Sequence, residues 1–122
     1  MSEPSTFNPA AIERLFKLGG QKFTLDMIEL FGSYGAKKLA EAHQARQAGN
    51  LVALAAAAHP LKSSAGNVGA VRVQELAAQV ELSAQEQKAE LAGTQLEELE
   101  RAFAEARTFL EFEKTKLTKP PS

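Results

Sequence analysis

Apolar residues recur along this chain at intervals of three and four positions, which is the spacing that places side chains on one face of an α-helix. Alternating β-branched runs typical of strands are absent. A first helix is predicted to begin at Asn8, an N-cap residue type, with Pro9 in the first helical position, and to end at Gly19–Gly20. Its apolar stripe consists of Ile12, Leu15 and Phe16.

The pattern continues in four longer segments. A second helix runs from about Gln21 to Ala48, although Gly32 and Gly35 weaken it locally. Its candidate buried positions are Phe23, Met27, Leu30, Phe31, Tyr34 and Leu39. A third helix, capped by Asn50, is predicted to extend to about Ala65, and Gly66 and Gly69 mark a break or corner.

The fourth segment extends to about Lys88, and Ala92–Gly93 separates it from the last helix. We expect Val73, Leu76, Val80 and also Leu82 to face inward in the fourth segment. In the last helix, Thr94 and Glu97 have the spacing of a capping box. Its apolar seam consists of Leu96, Leu99, Phe103, Ala106 and Leu110.

Several amphipathic helices with short connections predict an all-α fold, namely an antiparallel four-helix bundle with a short accessory N-terminal helix. The predicted domain covers residues 8–117, with a flexible N-terminus at 1–7 and a flexible C-terminal tail at 118–122. The start at Met1 and the frayed tail favour a free-standing protein.

Composition narrows the possible functions. The chain has 122 residues and a net charge of -1, which argues against a broad basic surface for nucleic acid. Its longest apolar run, Leu51 to Ala58, is too short to cross a bilayer, and the N-terminal residues do not resemble a secretory signal. There is no cysteine, which is compatible with a cytoplasmic location. No membrane association is therefore expected.

One histidine of the third helix has an unusual setting. At about 100° per residue, the core-facing sector of this helix is centred roughly 130° away from His59. The residues of that sector are Leu51, Leu54, Ala58, Leu61, Ala65 and Val68. His59 therefore faces outward, and its neighbours at helical spacing are mostly small: Val52, Ala55, Ala56, Ser63 and Gly66. Lys62 lies one turn further along.

This arrangement predicts a nucleophile that another macromolecule can reach. At neutral pH an imidazole of ordinary basicity is largely uncharged, so one ring nitrogen keeps its lone pair. No general base is apparent beside His59, which suits a very reactive electrophile such as an aspartyl phosphate. Lys62 would then neutralise charge on the transferring phosphoryl oxygens. The simpler interpretation, a solvated histidine on a helix rich in alanine, stays open at this point.

The stretch His59–Ala70, HPLKSSAGNVGA, resembles the signature of the histidine-containing phosphotransfer (HPt) domain family. The resemblance implies that His59 is the phosphoacceptor and Lys62 the phosphate-proximal lysine. Ala55, Ala56, Ser63 and Gly66 are then phosphate-proximal or docking positions. Segments RLFKLGGQKFTLDMIELFGSY and VQELAAQVE are similar to other helices of the family, so the likeness covers most of residues 8–112.

The resemblance implies a phosphorelay intermediate in two-component signalling. Its partners would be response-regulator receiver domains and a hybrid sensor kinase. Mg²⁺ is expected in the receiver, and this chain is expected to bind no metal or cofactor and to be a monomer. It implies phosphotransfer without autokinase activity, which leaves open whether the chain counts as an enzyme.

Two residues depart from the common pattern of the family. Ser63 stands where glycine is frequent, and its hydroxyl either contacts a phosphoryl oxygen or bonds back to the helix backbone. Pro60 removes the amide that would bond the Ala56 carbonyl, at a cost of about 3 kcal/mol in a regular helix. One hypothesis is that a bend at Pro60 presents the imidazole; the alternative is a tolerated substitution.

Two other classes of function compete with phosphotransfer. The rival is a non-catalytic helical adaptor that docks a partner through its alanine-rich face. A metal-binding bundle is disfavoured, because no Glu-x-x-His pair occurs. We expect His43 to be solvated and Phe31 and Tyr34 to lie in the core, with at least one aromatic residue of the second helix exposed beside His59.

Overall fold

Four helices form the structure, a computed structural model that describes residues 6–118. They are α1 (Pro9–Gln47), α2 (Leu51–Val68), α3 (Val71–Gln85) and α4 (Ala89–Thr118). Connections of two or three residues join successive helices, so that neighbours along the chain run antiparallel. Helix α4 also packs against α1, which closes the bundle. The predicted all-α four-helix bundle is therefore confirmed.

The accessory helix is the first part of α1, because the backbone of α1 breaks at Gly20. Gly20 has φ 82° and ψ -167°, a conformation that favours glycine. Thr24, which is fully buried, donates its hydroxyl hydrogen to the Gly20 carbonyl at 2.8 Å. The predicted end of the first helix at Gly19–Gly20 is thus a change of direction within one element.

Residues just before α1 are held against the turn between α2 and α3. Phe7 forms an isolated antiparallel bridge with Ala70, and its ring stacks on Phe109 at 3.9 Å between centroids. The Asn8 amide donates to the Gly69 carbonyl at 2.9 Å. The predicted flexible stretch 1–7 is therefore tied to the bundle at Phe7. Residues 1–5 and 119–122 lie outside the described residues.

Two predicted helix boundaries are wrong. Helix α2 continues to Val68, because Gly66 is accommodated within it and the corner is made by Gly69, whose φ is 77°. Helix α4 begins at Ala89, after a turn in which Gln87 has φ 63°, and the predicted capping box is absent. Thr94 instead bonds the Glu90 carbonyl one turn earlier.

The small residues Ala92 and Gly93 do not separate helices. Both are buried within α4. A Cβ added to Gly93 would lie 2.7 Å from the guanidinium of Arg46, so glycine there leaves room for an arginine of α1. Arg46 also pairs with Glu97 at 2.9 Å. A position that the composition suggested as a connection is therefore a place of close helix packing.

The core lies between the four helices, and most of the predicted core positions fill it. The predicted positions found buried are Leu15, Phe31, Leu39, Val73, Leu76, Val80 and the entire apolar seam of α4. Four predicted positions are exposed instead: Phe16 at 47%, Phe23 at 38%, Leu30 at 56% and Leu82 at 54%. Tyr34 and Met27 are half-buried. Among the described helices, none is long and apolar enough to span a membrane.

Candidate functional site

His59 lies near the middle of α2 and points away from the core. Leu54, Ala58 and Leu61 on the same helix are almost completely buried, whereas 66% of the His59 side chain is exposed. The helix continues through Pro60 without interruption. The outward direction predicted from helical periodicity is confirmed.

Glu81 of α3 lies directly beside this imidazole. Its Oε2 atom is 2.6 Å from Nδ1 of His59, and its Oε1 atom is 2.5 Å from Nζ of Lys62. A single carboxylate therefore contacts both of the residues that the sequence singled out. The expectation that no base lies next to His59 is wrong, because the relevant carboxylate comes from the following helix.

The environment of Glu81 keeps its carboxylate ionised. Only 13% of its side chain is exposed, and this burial by itself raises the pKa of Glu81. The hydrogen bonds and positive charges of Lys62 and His59 outweigh burial, so that the net pKa of Glu81 is lowered from its ordinary value of 4.5. At neutral pH the group is an anion with both oxygens engaged.

This geometry determines which nitrogen of His59 can act as a nucleophile. An ionised carboxylate only accepts hydrogen bonds, so the contact with Glu81 places the hydrogen on Nδ1. In the uncharged ring, Nε2 then carries the lone pair. An exposed Nε2 lone pair is able to attack an electrophile brought by another molecule.

Lys62 is the second cation of the site, and one third of its side chain is exposed. Its stem runs from α2 towards Glu81, so its ammonium and the His59 imidazole are held on the same carboxylate. The two residues are one helical turn apart, as predicted.

The remaining predicted site residues lie at different depths. Ala56 and Ser63 are exposed, as the helical wheel predicts. Ala55 is 8% exposed and belongs to the core, which corrects its placement on the outward face. The reason is that α3 packs closely against this side of α2. Gly66 is half-buried two turns from His59, where a Cβ would lie 2.9 Å from the Gln74 side chain of α3.

Two grooves with partly apolar linings flank the histidine. The α2–α3 groove has a volume of about 980 Å³ and is lined by His59 and Glu81 together with Val52, Ala56 and Ala84. The α1–α2 groove has a volume of about 540 Å³ and begins next to His59, at Pro60. Its other lining residues include Met27, Leu30, Tyr34, Ser63 and Asn67. Pro60 therefore faces a groove and is half-buried.

The second histidine has a different setting. His43 is half-buried, with 31% of its side chain exposed, and its Nε2 atom lies 2.9 Å from Oε2 of Glu100 on α4. The prediction of a solvated residue is therefore only partly correct. His43 faces Glu100 across the interface between α1 and α4, without a hydrogen bond from Nε2, and it is not part of the His59 site.

Glu81 is the site residue that the sequence analysis missed, although a signal for it exists. His59 precedes Ala70 by eleven positions, and Glu81 follows Ala70 by eleven positions. Ala70 lies in the turn between α2 and α3, so the two residues come level in an antiparallel helix pair. Because residues at equal distances from a turn lie side by side in such a pair, these positions alone indicate Glu81 as a neighbour of His59.

Comparison with known proteins identifies the family. The family model of the Hpt domain matches residues 26–109 of this chain. No curated protein sequence matches it. The fold is similar to the crystal structure of histidine-containing phosphotransfer protein B (HptB) from Pseudomonas aeruginosa PAO1. That similarity has a TM-score of 0.87 at 24% identity and covers 93% of this chain and 98% of that chain.

The match to the family model extends over more than half of the chain and includes the helices that carry His59, Lys62 and Glu81. This protein therefore belongs to the Hpt domain family and has a phosphorelay role in two-component signalling.

Proposed function

We propose that His59 is the phosphoacceptor, receiving a phosphoryl group from the aspartyl phosphate of one receiver domain and passing it to another. The observation that carries this proposal is the exposed imidazole whose Nδ1 is held by Glu81. Its Nε2 atom is left as the nucleophile. Among the residues that the structure describes, neither groove beside it is lined by a second histidine.

The transfer is a displacement at phosphorus. The Nε2 lone pair forms the N–P bond while the bond between phosphorus and the aspartate oxygen breaks, and the aspartate leaves as a carboxylate. In the onward step, a carboxylate of the second receiver attacks phosphorus and the electron pair of the N–P bond returns to Nε2. The proton on Nδ1 stays in place through both steps.

Lys62 has an electrostatic role in this proposal. Its ammonium lies one turn from His59 and is close enough to Glu81 to be shared with an incoming phosphoryl group. A cation there stabilises charge that accumulates on the equatorial oxygens during transfer. Because one third of the side chain is exposed, it can reorient without unfolding α2.

The metal of the reaction is expected from the partner. Mg²⁺ prefers several oxygen ligands in octahedral geometry. The residues around His59 do not fit such a site, because Glu81, the carboxylate that faces the imidazole, is already engaged by a ring nitrogen and an ammonium. We expect the acidic pocket of the receiver to hold Mg²⁺, and no step is assigned to a metal bound by this chain.

The α1–α2 groove is the proposed docking surface for the receiver. Phe23, Met27, Leu30 and Tyr34 follow one another at spacings of four, three and four on α1, which is the seam of a coiled-coil helix. Leu30 is 56% exposed, and Met27, Leu30 and Tyr34 all line the groove next to Pro60. An amphipathic helix of the receiver would cover this seam while its aspartate approaches His59.

The finer features of the relay belong to the same proposal. Response-regulator receivers are the partners of such domains, and we expect a hybrid sensor kinase to carry the donor receiver. We expect the protein to act as a monomer in the cytoplasm.

The test uses the intact chain and a panel of phosphorylated receivers. We expect label that is acid-labile and base-stable to appear on the protein and to be lost in His59→Gln. His43→Gln is the matched control, because it removes the other histidine, and it should label as the parent does. Unchanged helicity by circular dichroism excludes misfolding. Label that persists in His59→Gln would overturn the assignment of His59 as the phosphoacceptor, whereas failure of the parent chain to label with any receiver would favour the adaptor alternative.

A further inference from the structure

We propose that Lys38 of α1 is a docking residue that binds the acidic surface of the receiver as it approaches His59. This inference rests on the proposed function, and it names the charged contact that accompanies the apolar seam of the α1–α2 groove. Lys62 reaches towards α3, whereas Lys38 is carried by α1. The imidazole therefore has a cation on each side.

Lys38 lies level with His59 along the bundle. Tyr34 of α1 and Ser63 of α2 line the same groove, so they lie at about the same height in this antiparallel helix pair. One helical turn from Tyr34 towards the connection between the helices leads to Lys38. One turn from Ser63 in the same direction leads to His59. The lysine and the histidine therefore start from the same level of the two helices.

Lys38 also lies on the face of α1 that borders this groove. At about 100° per residue, it is about 20° from Met27 and about 40° from Tyr34, both of which line the groove. Only 22% of its side chain is exposed. Its Nζ atom lies 5.5 Å from the centre of the Tyr34 ring. The aromatic ring thus supports an ammonium at the edge of the proposed docking surface.

The carboxylate that pairs with Lys38 holds it only weakly. Nζ of Lys38 lies 3.1 Å from Oε1 of Glu41, which is three residues further along α1, and 41% of the Glu41 side chain is exposed. Surface ion pairs of this kind contribute little free energy, because water and salt compete for both charges. Lys62 differs, since its partner Glu81 is only 13% exposed. Lys38 can therefore exchange Glu41 for a carboxylate of another molecule at little cost.

A receiver has the charge that complements Lys38. In the proposed function it brings to His59 an acidic pocket that contains the reacting aspartate. The ammonium attracts this pocket before contact and then pairs with a carboxylate at its rim. Charges at the rim of an interface act mainly on the rate of association and on its salt dependence. Phosphoryl transfer within the complex is left to His59 and Lys62.

The test compares Lys38→Gln with Lys116→Gln. Lys116 is a close match in its local setting, because its Nζ atom lies 5.0 Å from the centre of the Phe112 ring and 3.0 Å from Oε2 of Glu113. It is carried by α4, which packs against α1 and α3. Lys116 is therefore outside the α1–α2 groove. Each substitution removes one positive charge and keeps a polar side chain.

Two phosphoryl donors separate docking from the reactivity of the imidazole. Phosphoramidate, a small donor, requires no docking, and Lys38→Gln should label with it at the rate of the parent. The second donor is the phosphorylated receiver of the panel that labels the parent fastest. With it, the second-order rate of Lys38→Gln should fall about two- to fivefold at low salt, as expected for one rim charge pair. Lys116→Gln should match the parent.

Salt provides an independent check. At about 0.5 M salt the Debye length is about 4 Å, so the difference between Lys38→Gln and the parent should disappear. A structural defect would persist under these conditions. A difference of the same size at low and high salt would therefore refute an electrostatic docking role.

The outcomes separate this inference from the proposed function. Failure of the parent to label at His59 with any receiver would refute the proposed function. If the parent labels at His59 but Lys38→Gln and Lys116→Gln react equally fast with the receiver at low salt, the role of Lys38 is refuted while that of His59 stands. Slower labelling of Lys38→Gln by phosphoramidate would also refute docking, because the defect would then lie at the imidazole.

Discussion

Two glycines of α1 provide a sharp test of how this bundle is packed. Gly32 and Gly35 both lie on the buried side of α1, where the helix passes α4. A Cβ placed on Gly35 would lie 2.7 Å from Cζ of Phe103 and closer still to its Cε1. A Cβ placed on Gly32 would lie 3.4 Å from Nε of Arg107, which is an ordinary contact. The same substitution, glycine to alanine, should therefore have opposite effects three residues apart.

The expected size of the effect follows from these contacts. The Phe103 ring is 5% exposed and packs against Phe31 at 5.2 Å between centroids, so it cannot move aside freely. Overpacking of this kind costs about 1–3 kcal/mol. Replacing glycine by alanine in a helix contributes about 0.5–1 kcal/mol of stability. Gly35→Ala should therefore lose about 1–2 kcal/mol, and Gly32→Ala should gain up to about 1 kcal/mol.

Thermal unfolding followed by circular dichroism is the appropriate assay. For a chain of 122 residues, an unfolding entropy of about 2.1 cal/mol/K per residue converts 1 kcal/mol into about 4 °C. Gly35→Ala should lower Tm by about 4–8 °C, whereas Gly32→Ala should leave Tm unchanged or raise it by up to about 4 °C. Equal shifts of the same sign in both variants would refute the claim that Phe103 determines the requirement for glycine at position 35.

Three further predictions concern the helix that carries the histidine. Leu61→Ala should destabilise the protein by about 2–5 kcal/mol in chemical denaturation, because Leu61 is completely buried; a loss below about 1 kcal/mol would contradict its place in the core. Pro60→Ala should raise Tm, because α2 continues through Pro60 and alanine restores an amide donor; if its labelling rate also equals that of the parent, a bend at Pro60 plays no part in presenting the imidazole. Because the pKa of Glu81 is lowered from 4.5 in the folded protein, its ion pairs stabilise the fold fully above that pH, and the contribution is lost as pH falls through the folded-state pKa. Denaturation between about pH 6 and pH 3 should therefore show a shallower loss of stability in Glu81→Gln than in the parent, and identical slopes would contradict this linkage.

The periodicity of apolar residues predicted the features that depend on a single helix, namely which side chains point inward and which point outward. The inward positions of α2 and the outward direction of His59 follow from rotation about a single axis, and the structure agrees with them. Four apolar residues were wrongly predicted to be buried, because hydrophobicity alone does not distinguish a core position from an exposed one: Phe16, Phe23, Leu30 and Leu82.

Features that depend on two helices were harder to predict. Gly93 was predicted to lie in a connection between helices, whereas the structure places it within α4, next to the Arg46 side chain of α1. Glu81 was overlooked because its partner is distant in sequence. Both cases require knowledge of how the antiparallel helices are aligned. For Glu81 that alignment follows from the position of the turn at Gly69–Ala70, whereas for Arg46 and Gly93 it depends on side-chain packing that the sequence does not reveal.

The location of His59 along α2 has one more consequence. It lies eight positions after Leu51 and nine positions before Val68, so it is remote from both ends of the helix. The field of a helix dipole is concentrated in the first and last turns. A phosphoryl charge added at His59 would therefore neither stabilise nor destabilise the ends of α2. We expect the bundle to have the same shape with and without phosphorylation. Under the proposed role of His59, a partner detects the phosphorylated state by contacting the phosphoryl group itself.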